Sequence, residues 1–220
     1  MSTFPFDGVV FDVDGVLFDT ERLGWKNWAQ VGQEMGWPQA ADHYLEVVGQ
    51  NRADIRQRMY ERMGPDFPLD AFLLTCSQRG QERMEREGVP LKPGVTEILS
   101  SLRDRGVPLA LATSTSADRT RRRLELTGLG PFFRQIITGD LVVHSKPDPE
   151  IYQIACRALG TDPARTLAVE DSRNGILSAH AAGMPVAMVP DLIPPTPELE
   201  ALLWGRFESL SQLQARLGLA

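Results

Sequence analysis

The feature that most constrains this 220-residue chain is a series of short apolar runs that do not alternate with polar residues. Gly8-Val9-Val10-Phe11 comes first. Pro108-Leu109-Ala110-Leu111-Ala112, Gln135-Ile136-Ile137-Thr138, Thr166-Leu167-Ala168-Val169 and Pro185-Val186-Ala187-Met188-Val189 follow much later. Such runs read as strands buried on both faces, which is the condition of a parallel sheet. Helical patterns lie between them, for example Val95 to Leu102, closed by Gly106 as a C-cap. Asp148-Pro149 and Asp162-Pro163 each place an Asp before a Pro, the arrangement of an N-cap and first turn. From about residue 90 helix and strand alternate. The expected fold is therefore α/β, a doubly wound, Rossmann-like parallel sheet joined by right-handed crossovers.

Residues 20–89 break that alternation and contain no convincing strand. Trp25, Trp28, Val31 and Met35 fall three or four apart, as helical positions do, and the tryptophans read as core. The expectation is an inserted α-helical cap over 20–89, with 1–19 and 90–220 forming the α/β core. Asp19-Thr20 and Lys92-Pro93-Gly94 would be the hinges of that cap.

Charge and cysteine content exclude several classes. Lys and Arg number 23 against 29 Asp and Glu, a net charge of −6, which gives no global attraction to nucleic acid or an anionic membrane. The run Arg119-Thr120-Arg121-Arg122-Arg123 reads as a solvated helix face. Two cysteines, Cys76 and Cys156, argue against a disulfide scaffold or zinc site and for small buried hydrophobes in a reducing compartment. The first residues carry no basic and apolar signal segment, and no apolar run reaches the roughly 18 residues that span a bilayer. A cytoplasmic protein, monomeric or weakly dimeric, is expected.

In open α/β sheets ligands bind beyond the carboxyl ends of the strands. After the first run come Asp12-Val13-Asp14-Gly15, and after the second Thr113-Ser114-Thr115-Ser116. Ser145-Lys146-Pro147 follows the third, and Glu170-Asp171-Ser172 the fourth. Crowded carboxylates need a counter-charge, and a hard divalent cation supplies it. No thiol or imidazole stands at these strand ends, so magnesium fits better than zinc. Magnesium bridges carboxylates to a substrate phosphate, whose other oxygens Lys146, Thr113 and Ser114 would hold. Lys146 is one of only three lysines in an arginine-rich chain. Each group also has a plain structural role: Asp14-Gly15 as a turn, Ser116 as a helix cap, Glu170-Asp171 as a helix start.

Asp12-Val13-Asp14-Gly15-Val16, the Thr113 hydroxyl after an apolar strand, Lys146 before Pro147, and Glu170-Asp171-Ser172-Arg173-Asn174-Gly175 together resemble the four motifs of the haloacid dehalogenase superfamily. The insertion after the first motif resembles the cap of its β-phosphoglucomutase and sugar-phosphatase subgroup. The resemblance spans essentially the whole chain. It implies Asp12 as a nucleophile that forms an aspartyl-phosphate and Asp14 as general acid and base. It also implies magnesium held by Asp12, Asp171, the Asp14 backbone carbonyl and Glu170, directly or through water. Thr113, Ser114 and Lys146 would bind the phosphoryl oxygens.

Gly49-Gln50-Asn51-Arg52 resembles the cap loop that carries a substrate-binding arginine, which makes Arg52 the candidate. Gly24 stands where the mutase keeps a histidine tied to its control of hydrolysis, so hydrolysis is favoured over isomerisation. The expected activity is magnesium-dependent hydrolysis of a small phosphorylated metabolite, a sugar or polyol phosphate. The alternatives are a β-phosphoglucomutase-like mutase, a phosphonatase using Lys26, or a non-catalytic phosphometabolite sensor. A haloacid dehalogenase proper needs no metal and no set of acids like this one.

Overall fold

The computed structural model describes residues 4–50 and 52–219. The chain forms two compact units, one from Met1–Phe18 with Leu91–Ala220, the other from Asp19–Pro90.

The second unit is helical: α1 (Thr20–Glu34), a 3-10 turn at Pro38–His43, α2 (Tyr44–Val47), α3 (Arg52–Met63) and α4 (Leu69–Glu87). Its core is aromatic. Trp28 packs edge-on against Tyr44 and Phe72 at ring distances of 5.2 and 5.1 Å, and Phe67 joins Trp37 to Phe72. Trp25 departs from expectation. It is 48% exposed, because α1 buries a stripe centred on Trp28 and Val31 and Trp25 falls on its flank.

Among the described residues the first unit holds six strands: β1 (Gly8–Phe11), β2 (Leu109–Ala112), β3 (Gln135–Ile137), β4 (Thr166–Glu170), β5 (Val186–Met188) and β6 (Gly205–Arg206). All pair in parallel, in the order β3-β2-β1-β4-β5-β6. β1, β2, β4 and β5 are buried at every position, which is why their sequences do not alternate. β3 differs. As an edge strand it leaves Ile136 exposed.

Helices α5 (Val95–Asp104), α6 (Ala117–Thr127), α7 (Glu150–Leu159), α8 (Arg173–Ala181), α9 (Pro197–Glu200) and α10 (Leu210–Arg216) complete the unit. Ile151, Tyr152, Ala155 and Cys156 of α7, with Ile176 and Ala179 of α8, bury one sheet face carrying Val10, Ala110, Ala112, Ala168 and Val186. Alternate residues of the same strands point to the opposite face. Both cysteines are free and buried, and burial pushes the Cys76 thiol up to about 12. Among the described residues no helix is long and apolar enough to cross a membrane.

One detail corrects the sequence reading, and a second bears on the loop ahead of α5. Ser116 sits at the N-terminus of α6 without a capping bond from its side chain; Asp140 accepts the Ala117 amide at 3.1 Å instead. Gly94 precedes α5 in a left-handed conformation, φ +86°, and a Cβ there would lie 2.7 Å from Ser211 Oγ. Proline at that position, with φ held at about −65°, would disrupt folding. Gly94→Pro is therefore expected to cost more than about 1 kcal/mol in urea denaturation. A midpoint equal to the parent's would contradict the left-handed turn.

Candidate active site

The chain order reverses at β1, which has β2 on one side and β4 on the other, and this is where an open α/β sheet forms its crevice. Register does the rest. Phe11 pairs with Leu111 and with Val169, so Asp12, the next residue, lies level with Ala112 and Glu170. The Asp12 amide donates to the Val169 carbonyl at 2.9 Å, which fixes the start of the loop.

Lys146 enters from the loop before α7. Its Nζ donates to Asp12 Oδ1 and Glu170 Oε1, both at 2.6 Å, and to the Ala112 carbonyl at 3.0 Å. Those contacts use the three protons of an ammonium. Tyr152, one turn into α7, donates its hydroxyl to Glu170 Oε1 at 2.7 Å and places its ring 4.9 Å from the Lys146 nitrogen. The other Glu170 oxygen accepts the Asp171 and Ser172 amides and the Ser172 hydroxyl. Two glycines make this crowding possible. A Cβ on Gly175 would stand 1.8 Å from Glu170 Oε1, and one on Gly15, where φ is +83°, would stand 2.1 Å from Asp171 Oδ2.

Asp12, Glu170 and Asp171 are all buried, and their carboxylate oxygens lie within 4.8 Å of one another. One ammonium set against three carboxyl groups leaves the cluster short of positive charge. Burial pushes the Asp12 carboxyl up to about 8; Lys146 pulls it down, while Glu170 and Asp14 add to the rise. Burial opposes the charge on Lys146, but Asp12 and Glu170 outweigh it and hold the amine above its ordinary range. An all-oxygen, electron-rich donor set of this kind fits a hard dication. His144, Asp148 and Glu150 form a second close group. There Glu150 already accepts the Val143 and His144 amides, so the trio braces the loop ahead of Lys146.

Asp14 stands apart from the three acids. Its carboxylate accepts from Thr115 Oγ1 at 2.8 Å and from Arg123 Nη1 at 2.5 Å. Thr113 is buried, and its Oγ1 accepts the Thr115 amide, which leaves the hydroxyl proton to donate. Ser114 is exposed. Arg52 belongs to the helical unit, where its guanidinium pairs with Asp70 at 3.2 Å and is 75% exposed; Asn51 lies outside the described residues. Sequence reasoning missed Tyr152, which looks like one more member of an apolar helix stripe. It also misjudged Arg123, whose side chain is 14% exposed and turned onto Asp14 rather than solvated.

The fold and this set of strand-end residues define a hydrolase of the haloacid dehalogenase type. Residues 9–189 match the family model described as haloacid dehalogenase-like hydrolase, and the chain belongs to that family. A phosphorylated carbohydrates phosphatase of Thermotoga maritima is 32% identical over 178 residues, covering 81% of this chain and 82% of the relative. CbbY from Rhodobacter sphaeroides, solved with xylulose-(1,5)bisphosphate, aligns with a TM-score of 0.77 at 25% identity over 94% of this chain and 96% of that one. A family hydrolase from Deinococcus radiodurans, solved with bound phosphate and sodium, aligns at 0.79 and 28% identity, covering 99% of this chain and 98% of that one.

Two outcomes follow from the charge arrangement. Lys146→Met strands two buried acids, so the protein is expected to lose about 3–5 kcal/mol of stability. A loss below about 1 kcal/mol, measured by denaturant titration, would contradict the pairing. Below about pH 8 Asp12 holds a proton for part of the time, whereas a dication needs the bare carboxylate. Ion binding near neutral pH is thus expected to release protons and to tighten as pH rises toward 8. Calorimetry in buffers of different ionisation enthalpy reads this directly; heat independent of the buffer would contradict it.

Proposed function

We propose that the chain is a magnesium-dependent phosphatase that hydrolyses a small phosphorylated metabolite, a sugar or polyol phosphate, through an aspartyl-phosphate on Asp12. The observation that carries this reading is the buried Asp12, tied to Lys146 at 2.6 Å, with a second aspartate two residues on held clear of the acid cluster. The names of the matched relatives, a phosphatase of phosphorylated carbohydrates and a protein solved with a sugar bisphosphate, support the substrate class.

Asp12, Asp171 and the Asp14 backbone carbonyl would hold the ion. Glu170 would reach it through water, because its two oxygens already accept donors from Lys146, Tyr152, Asp171 and Ser172. Bound magnesium supplies positive charge that brings an anionic phosphoryl group against an anionic nucleophile. Asp12 attacks phosphorus while the ester P–O bond breaks, and Asp14, having taken up a proton from solvent on a lone pair that Thr115 and Arg123 leave open, gives it to the departing oxygen. Asp14 then takes a proton from water. That water's oxygen attacks phosphorus, the bond to Asp12 breaks, and inorganic phosphate leaves. Lys146, the Thr113 hydroxyl and the loop at Ser114 hold the phosphoryl oxygens as charge redistributes. Arg52 is the proposed contact for the part of the substrate that does not react.

Hydrolysis rather than isomerisation is supported inside the helical unit. A Cβ on Gly24 would lie 2.1 Å from the Tyr44 hydroxyl, which donates to Glu21 at 2.6 Å. Tyr44 thus fills the space a histidine at this position would need.

A phosphate-release screen over phosphorylated sugars, polyols and nucleotides, with and without magnesium, tests the reading. Release from a sugar or polyol phosphate is expected only with the ion, and Asp12→Asn is expected to abolish it. Isomerisation of a hexose 1-phosphate primed with trace bisphosphate, without net phosphate release, would instead make the chain a mutase.

A further inference from the structure

We propose that Arg123 is a positioning residue for Asp14, holding the acid/base carboxylate in the orientation from which it protonates the departing oxygen. The inference rests on the phosphatase reading above and adds to it a residue from a different part of the chain. The run that contains Arg123 carries other arginines with ordinary surface roles; Arg122, for instance, pairs with Glu125 one turn on and is half exposed. Arg123 is different because of helical register. Thr120 and Leu124 are buried, and Arg123, three residues past Thr120 and one before Leu124, is carried onto the same inward face of α6.

There its Nη1 meets Asp14 Oδ1 at 2.5 Å, while Thr115 Oγ1 donates to the other oxygen at 2.8 Å. Donors on both oxygens stop the carboxyl from rotating about its own axis. The backbone beneath is fixed as well, since the Gly15 amide donates to the Phe18 carbonyl and Asp14 bridges to Phe18. Only the side chain of Asp14 was left to be aimed, and Arg123 and Thr115 aim it. Thr115 alone is a weaker guide, because its hydroxyl donates one rotatable, uncharged proton whereas the Arg123 hydrogen bond carries a permanent charge.

A second observation sets this pair apart from a surface salt bridge. Arg123 Nε is buried, and among the described residues nothing accepts its proton. A buried donor left unmatched is a cost that an ion pair made only for stability would avoid by staying in water. The side chain is inserted nonetheless, beside the carboxylate that must move a proton.

Leaving-group dependence separates positioning from plain stabilisation. A nitrophenolate departs without a proton, whereas an alkyl alcohol needs one as the P–O bond breaks. The experiment measures kcat/KM, which reports through leaving-group departure, for a series of phosphate monoesters from nitrophenyl to simple alkyl, with magnesium present. Parent, Arg123→Ala, Arg123→Lys and Thr115→Val are compared, each checked for folding by circular dichroism. For Arg123→Ala the alkyl esters are expected to lose on the order of 100-fold and the nitrophenyl ester no more than a few-fold. Arg123→Lys should recover part of the alkyl loss, and Thr115→Val should show a milder version of the same slope, which tests the idea even where Arg123→Ala fails to fold. An equal loss across the series, or none, would overturn the proposal. Failure of the parent to hydrolyse any ester would instead remove the phosphatase reading, and this inference with it.

Discussion

A single ammonium lies between two carboxylates in a place largely withdrawn from water, and much of the α/β unit serves to make that tolerable. Lys146 touches Asp12 and Glu170 at the same 2.6 Å. Taking each ion out of water costs several kcal/mol, so the group persists only with its remaining lone pairs and protons matched. The matching partners come from scattered places: the end of β2 offers a carbonyl, α7 a phenol, and the two residues just ahead of α8 two amides and a hydroxyl. No single local motif could supply them. A parallel sheet with its switch point at β1 brings all of these segments to one edge.

The same arrangement accounts for the glycines. Gly15 lets Asp171 approach the loop after β1, and Gly175 lets Glu170 lie against the start of α8. A methyl group at either place would occupy space the acids need. Glycine here is less a turn former than a way of packing charged groups close together without moving the backbone. Surplus negative charge is the consequence, and it is what the proposed dication would balance.

The sheet was legible because strands buried on both faces leave an unmistakable apolar signature, and four of the six strands are of that kind. β6 escaped because Gly205-Arg206, at the far edge, carries no such run. At the site, residues that directly follow a buried strand could be picked out, since strand ends are where side chains converge. Tyr152 and Arg123 could not. Each sits mid-helix, and what distinguishes it is which way the helix faces, a property of packing rather than of local sequence. The arginine run shows the limit well: composition marked it as solvated, while its last member is turned inward by the register of Thr120 and Leu124. Trp25 shows the converse error, an aromatic at helical spacing that the stripe leaves outside.

Membership of the haloacid dehalogenase-like hydrolases supplies the chemistry, and the charge cluster supplies the reason for it. Anomalous diffraction from crystals soaked in manganese, a dication with magnesium's preference for oxygen donors, tests that reason most directly. One ion is predicted against Asp12 and Asp171, with Lys146 still bridging Asp12 and Glu170. An ion found only at His144, Asp148 and Glu150, or no ordered ion at all, would contradict it.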